Sequence, residues 1–187
     1  TPIDSAAGDH FGFSVSIDGD YAVVGAYGDN DNGYSSGAAY IFKREDGVWA
    51  ESAKLIPDDG AADDYFGYAV SISGNCALVG AYRDDDGGSM SGSAYVFCRD
   101  EEGGWTQRSK LAAVDPSLQD YFGFSVSISG GMAVVGAYGD DMGYSSSTGS
   151  AYVFPVWNVD IWADRETIDT GDAISLWWSS GQADSRA

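Results

Sequence analysis

The chain has 187 residues, with 29 Asp plus Glu against 9 Lys plus Arg and a formal net charge of −20. A surface of that sign repels phosphate backbones and anionic lipid, which argues against nucleic acid and membrane surfaces as partners. No apolar run is long enough to span a bilayer as a helix. The acidic surplus strains the compact state by self-repulsion, and bound Ca²⁺, which selects carboxylate oxygens, would relieve that strain. A salt-tolerant acidic surface explains the composition equally well. The 26 glycines and 14% aromatic residues suggest many short strands joined by tight turns.

The chain repeats itself. Phe11-Gly12 returns as Phe66-Gly67 and Phe122-Gly123, and Gly25-Ala26-Tyr27 returns as Gly80-Ala81-Tyr82 and Gly136-Ala137-Tyr138. In each copy "FGFSVSI" or its counterpart alternates apolar and polar residues, as a half-buried strand does. A hairpin turn follows at "DGD" 18–20, "SGN" 73–75 and "SGG" 129–131, where glycine tolerates positive φ. "YAVVGAY" and its copies are uniformly apolar, as in a strand covered on both faces. "AAYIF" 38–42 and the two copies of "SAYVF" supply a third strand. The more polar "WAESAKL" 49–55, recurring as "WTQRSKL" 105–111, reads as a fourth strand at the outer edge.

Four words per repeat predict four antiparallel strands per repeat, the unit of a β-propeller blade. The Phe-Gly and Gly-Ala-Tyr words at this spacing resemble the FG-GAP repeat of integrin α-subunit propellers and of many bacterial and algal surface proteins. The resemblance implies an all-β partial propeller over residues 1–155, with blades at about 1–55, 56–111 and 112–155. It also implies an extracellular location and a non-enzymatic role in adhesion or scaffolding. Integrin blades carry an Asp/Asn-rich calcium loop between the Phe-Gly and Gly-Ala strands. Here that place holds only "SIDGDYA", "SISGNCA" and "SISGGMA", so that site does not transfer.

The acid lies elsewhere. The loops after Gly-Ala-Tyr read "GDNDNGYSSG", "RDDDGGSMSG" and "GDDMGYSSSTG", with Asp29, Asp84 and Asp140 in register. Asp9, Asp64 and Asp120 precede the Phe-Gly words, also in register. Antiparallel pairing brings the start of the first strand to the end of the second. Asp9 is therefore expected beside Asp29 and Asp31, Asp64 beside Asp84 and Asp86, and Asp120 beside Asp140. Each rim cluster would be a Ca²⁺ ligand set, weakest in the third repeat, where Met142 stands in place of a further Asp. Asp, Asn, Gly and Ser are equally at home in turns that hold no metal.

Cys76 begins the second strand of the middle repeat and Cys98 ends its third. If Gly80 pairs with Ala94, the two cysteines face each other across the ladder, and a cross-strand disulfide is favoured over two buried thiols. His10 fills a slot held by Tyr65 and Tyr121 in the other repeats, which makes it an aromatic variant. No Ser-His-Asp or Cys-His set can be assembled around a single histidine, and the expectation is that the protein is not an enzyme.

After Phe154 the repeat gives way to "PVWNVDIWADRETIDTGDAISLWWSSGQADS". Residues 156–187 resemble the opening strands of a bacterial immunoglobulin-like module. The outer strand before Thr1 is also missing from the pattern, so the chain is expected to be part of something longer or to be completed by neighbouring copies. Open blade edges recruit further strands, and a homo-oligomer through those edges and the tail is the expected assembly. Two other functions fit the residues. Loop residues Tyr34 and Tyr144 could stack on sugar rings in a glycan-binding propeller, or the chain could be an accessory region of a secreted enzyme.

Overall fold

The protein is described by a computed structural model covering residue 2 and residues 4–141, 148–156 and 174–175. Every regular element among them is a β-strand. The first sheet holds β1 (Ser14–Asp18), β2 (Tyr21–Ala26), β3 (Ala38–Glu45) and β4 (Val48–Leu55). The second holds β5 (Ala69–Ser73), β6 (Cys76–Ala81), β7 (Ser93–Arg99) and β8 (Trp105–Leu111). The third holds β9 (Phe122–Ser129), β10 (Met132–Ala137), β11 (Ser150–Pro155) and the two-residue β12 (Ile174–Ser175). In each sheet the strands lie side by side in chain order and antiparallel, the arrangement of a propeller blade, and the three blades form an open array. Most of the tail compared with an immunoglobulin-like module lies outside the described residues.

The sequence pattern accounts for the ladders. The turns at Gly19, Gly74 and Gly130 all take positive φ, near 56–61°, as the hairpin turns require. The polar fourth strands, β4 and β8, lie at the outer edge. Cys76 pairs with Cys98 in the β6–β7 ladder and the two form a disulfide. One feature differs from the alternation pattern. Phe11-Gly12 and Phe66-Gly67 precede β1 and β5 instead of opening them. The chain turns there, with His10, Tyr65 and Tyr121 each at φ 55–60°. The amides of Phe13, Tyr68 and Phe124 donate back to the carbonyls of those three residues at 3.1–3.2 Å.

Successive blades pack face to face. Val23, Ala39, Ile41 and Leu55 of the first meet Val70, Ile72 and Val79 of the second in one buried cluster. Leu78, Ala94, Val96 and Leu111 of the second meet Ile128, Ala133 and Val135 of the third in another. Phe66 and Phe122 are fully buried, each edge-on to a tyrosine, Tyr95 or Tyr152, at 5.5 and 5.4 Å. The backbones come close enough to exclude side chains. A Cβ on Gly67 would stand 2.1 Å from the Ala38 carbonyl oxygen, and one on Gly123 would stand 2.1 Å from that of Ser93. Gly12 has nearly the same φ, +90° against +85° at Gly67, but open space around its Cβ position.

That contrast separates two costs of losing a glycine. Gly67→Ala meets both the positive φ and the collision with the first blade, whereas Gly12→Ala meets only the φ penalty of about 1 kcal/mol. Thermal unfolding should show Gly67→Ala much the more damaging. Equal loss in the two variants would refute close packing at Gly67.

Candidate functional site, an acidic rim

Two residues per blade anchor the rim, and both are buried. Asp9, Asp64 and Asp120 come just before the Phe-Gly turns, and Asp29, Asp84 and Asp140 just after the second strands. The expected juxtaposition is present in the backbone. The amides of Gly28, Arg83 and Gly139 donate to the carbonyls of Asp9, Asp64 and Asp120 at 3.1–3.3 Å. The carboxylates, however, are divided between two tasks.

Those of Asp9, Asp64 and Asp120 turn back on their own loops. They accept from the amides of Ala6, Ala61 and Ser117 at 2.5, 2.7 and 2.6 Å. These bonds close the turn that delivers each Phe-Gly pair. Burial pushes the Asp64 carboxyl up to about 6, against the lowering effect of the Ala61 amide and with added repulsion from Asp84 and Asp85. Asp120 is raised for the same leading reason, with Asp140, Asp141 and Asp115 adding repulsion.

Asp29 and Asp84 face the other way, into a cluster the sequence reading did not anticipate. The Lys54 ammonium, on β4, reaches Asp4, Asp29 and Asp31 at 2.8, 2.9 and 2.6 Å. The Lys110 ammonium, on β8, reaches Asp59, Asp84 and Asp86 at 2.7, 2.9 and 2.5 Å. The Tyr40 hydroxyl lies 2.8 Å from Asp29 Oδ2 and 3.0 Å from Asp4 Oδ1. Tyr95 donates to Asp84 at 2.7 Å, and each ammonium also lies over its tyrosine ring, 5.1 and 5.2 Å from the centroid. Register explains the arrangement. Lys54 pairs with Tyr40 and Lys110 with Tyr95 in the outer ladders, so both side chains emerge on the face above the second-strand aspartate.

The electrostatics follow from the geometry. Burial works against the Lys54 ammonium, but hydrogen bonds to Asp29, Asp31 and Asp4 outweigh it and hold the group well above the usual lysine range. Lys110 is raised by the same balance, with Asp59, Asp86 and Asp84 as partners. The Lys54 hydrogen bond leads in holding Asp4 below its ordinary value. Burial foremost, with the neighbouring carboxylates, raises Tyr40 and Tyr95 and keeps their hydroxyls protonated as donors.

Of the residues expected to gather at the rim, Asp29 with Asp31 and Asp84 with Asp86 do share a cluster, joined by Asp4 and Asp59. Asp4, Asp29 and Asp31 place carboxylate oxygens within 4.8 Å of one another, close enough to hold a metal ion, and Lys54 sits among them. In the third blade Asp140 accepts from Tyr152 at 2.8 Å, and Asp115 lies 3.1 Å from the same hydroxyl. Met142 and Tyr144 lie outside the described residues. Tyr34 is exposed, and its backbone carbonyl accepts from the Asp63 amide across the blade boundary. His10 lies flat on Tyr27 at 4.6 Å, as Tyr121 lies on Tyr138 at 5.0 Å, so it occupies the aromatic slot. The missed lysines had a signal, the "KL" that closes both outer strands.

Two outcomes follow. Lys54→Met leaves Asp29 buried beside two carboxylates with no ammonium, and chemical denaturation should show a loss of about 3 kcal/mol; a change within error would show the cluster to be ornamental. Asp64 protonates more readily folded than unfolded, so its contribution to stability is present at low pH and is lost between about pH 4 and pH 6 as the proton leaves. Asp64→Asn keeps an acceptor for the Ala61 amide and removes this dependence. Its melting temperature relative to the parent should rise from pH 4.5 to about pH 7, and parallel curves would contradict the raised value.

Residues 1–42, 49–97 and 105–154 match the FG-GAP repeat family. No curated protein matches the chain. The matched segments cover most of the sequence and contain the Phe-Gly turns, the Gly-Ala-Tyr strands and the buried aspartates in all three blades, and the chain therefore belongs to the FG-GAP repeat family.

Proposed function

We propose that the protein is a non-enzymatic extracellular module for adhesion or scaffolding, whose rim chemistry serves rigidity. The observation that carries this reading is the engagement of the buried carboxylates. Asp29 and Asp84 are held by lysine and tyrosine, and Asp9, Asp64 and Asp120 by backbone amides. Side chains committed in this way stiffen the loops that carry them. The Cys76–Cys98 disulfide agrees with an oxidising compartment, and membership of the FG-GAP family agrees with a surface role.

Calcium enters this reading as a competitor of Lys54. Ca²⁺ takes six to eight oxygens, and the first blade offers Asp4, Asp29 and Asp31 with an ammonium already at the centre. A calcium-stabilised rim must displace that ammonium or use oxygens beside it. Melting curves in millimolar Ca²⁺ and in chelator should differ little for the parent protein and clearly for Lys54→Met, where the three carboxylates are vacated. A large calcium shift in the parent would show that the ion and not the lysine holds the rim.

The exposed ring of Tyr34 supports a second reading, a glycan-binding propeller. A glycan array should be blank for a scaffold. Binding that disappears in Tyr34→Ala would replace the scaffold reading with the lectin one.

A further inference from the structure

The rim loops of the first two blades are joined across the boundary between them. The amides of Asp63, Tyr65 and Phe66 donate to the carbonyls of Tyr34, Ser35 and Ser36 at 2.8, 3.2 and 3.0 Å. One side chain adds to this backbone seam. Asn32 Nδ2 donates to the Gly60 carbonyl at 2.9 Å. Gly33 lies against the same loop, where an added Cβ would stand 3.3 Å from the Ala62 Cβ. At the next boundary Gly87 stands in the slot of Asn32 and packs on Pro116, so no such side-chain bond forms there.

Asn32 is also the one asparagine of the sequence that precedes glycine. Asparagine is thermolabile, and a following glycine leaves the next backbone nitrogen with no side chain to screen it. In the reaction open to this pair the Gly33 nitrogen gives up its proton and attacks Asn32 Cγ. A C–N bond forms, and the side-chain nitrogen leaves with that proton as ammonia. Water then adds to either carbonyl of the five-membered imide and reopens it. The products are an aspartate and its isomer, in which the chain runs through the side-chain carbonyl. Nothing is oxidised or reduced, and water is the only other reactant. The docked loops oppose these steps. The Gly33 amide hydrogen is engaged by the Asn30 carbonyl at 3.2 Å. Asn30 Oδ1 accepts from the Ser35 amide at 2.7 Å and closes the turn around Gly33. The Asn32 side chain is held in the rotamer that its bond to Gly60 selects.

We propose that Asn32 is a site of spontaneous covalent modification controlled by the first blade boundary: it persists while the two blades are docked and converts to aspartate when they part. The change is one-way, and it acts on the seam that delayed it. A carboxylate in place of the amide has no hydrogen to offer the Gly60 carbonyl. It also adds a charge next to Asp31 in a loop that is already acidic. Each conversion therefore leaves the boundary weaker than before. The inference goes beyond the scaffold reading and does not depend on it.

Peptide mapping by mass spectrometry, on the full chain held at mildly alkaline pH, follows the amide-to-acid conversion of the segment that contains Asn32. Conversion should be at least about tenfold faster in urea than in the folded chain, because the reaction proceeds through opened states. Gly67→Ala, which forces the blades apart at their closest approach, should fall between the two. Ile72→Ala, a milder loss in the same buried cluster, takes its place if Gly67→Ala does not fold. Asn30 and Asn75, which precede Asp and Cys, should stay intact over the same period. Asn32→Asp should melt about 2–4 °C below the parent, the shift that one lost hydrogen bond gives a chain of this size. Equal rates in the folded and unfolded chain, or an unfolded chain in which Asn32 lasts as long as Asn30, would overturn the proposal. So would a parental rate in the folded interface variant, or a parental melting temperature for Asn32→Asp.

Discussion

Gly67 and Gly123 each lie under a carbonyl of the preceding blade, at a distance no Cβ could tolerate. The rest of the structure is organised around that approach. It brings the Phe66 and Phe122 backbones into parallel bridges with Gly37 and Gly92 and buries both rings completely. It also sets the spacing at which valine and isoleucine on one first strand fill the face of the blade before. Dispersion and hydrophobic burial supply the attraction, and the glycines set how near the sheets come. The turn that delivers each Phe-Gly pair must therefore be rigid. A non-glycine residue at positive φ opens it in every blade, a strained conformation that persists only where the surroundings hold it. Asp9, Asp64 and Asp120 supply part of that hold by accepting from an amide three residues upstream.

A net charge of −20 does not by itself call for metal. Like charges concentrated at the rim are costly, but Lys54 and Lys110 meet three carboxylates each. An ammonium with three donors suits three carboxylate oxygens better than it suits any single partner. Because it arrives on the outermost strand, the cluster ties the edge of each of the first two blades to the loop that follows the second strand. The edge strand, otherwise the least supported part of a sheet, becomes part of the rim.

The architecture was readable because its signals are periodic. The spacing of the Phe-Gly and Gly-Ala-Tyr words, the alternation within strands and the turn glycines all repeat, and antiparallel pairing then placed Cys76 opposite Cys98. The acidic site was only half readable. Register placed Asp9 near Asp29 along the backbone, but it does not say which way a carboxylate turns, and Asp9 turns to Ala6. Asp4 belongs to the approach segment and was invisible to a search among loop acids. Lys54 and Lys110 were visible as a repeated pair of letters, yet their role depends on the outer-ladder register, which shifts by a residue between Ile41 and Phe42 and between Val96 and Phe97. Irregularities of that kind decide which side chains share a face, and no spacing rule in the sequence announces them.

The third blade shows how far repetition extends to chemistry. Tyr152 and Asp140 reproduce the tyrosine–aspartate pair of the first two blades, and Asp115 takes the place of Asp4 and Asp59. The residue in register with Tyr152 is Ser175, where the other blades have lysine opposite tyrosine. The hydroxyl–carboxylate pair thus goes with the three inner strands, which the repeat preserves in every copy. The ammonium goes with the fourth strand, which in this blade is drawn from sequence outside the repeat. The two parts of the rim are therefore separable. The inner strands and the loops they carry make the tyrosine–carboxylate cluster, and the outer strand supplies the lysine that faces it in the first two blades.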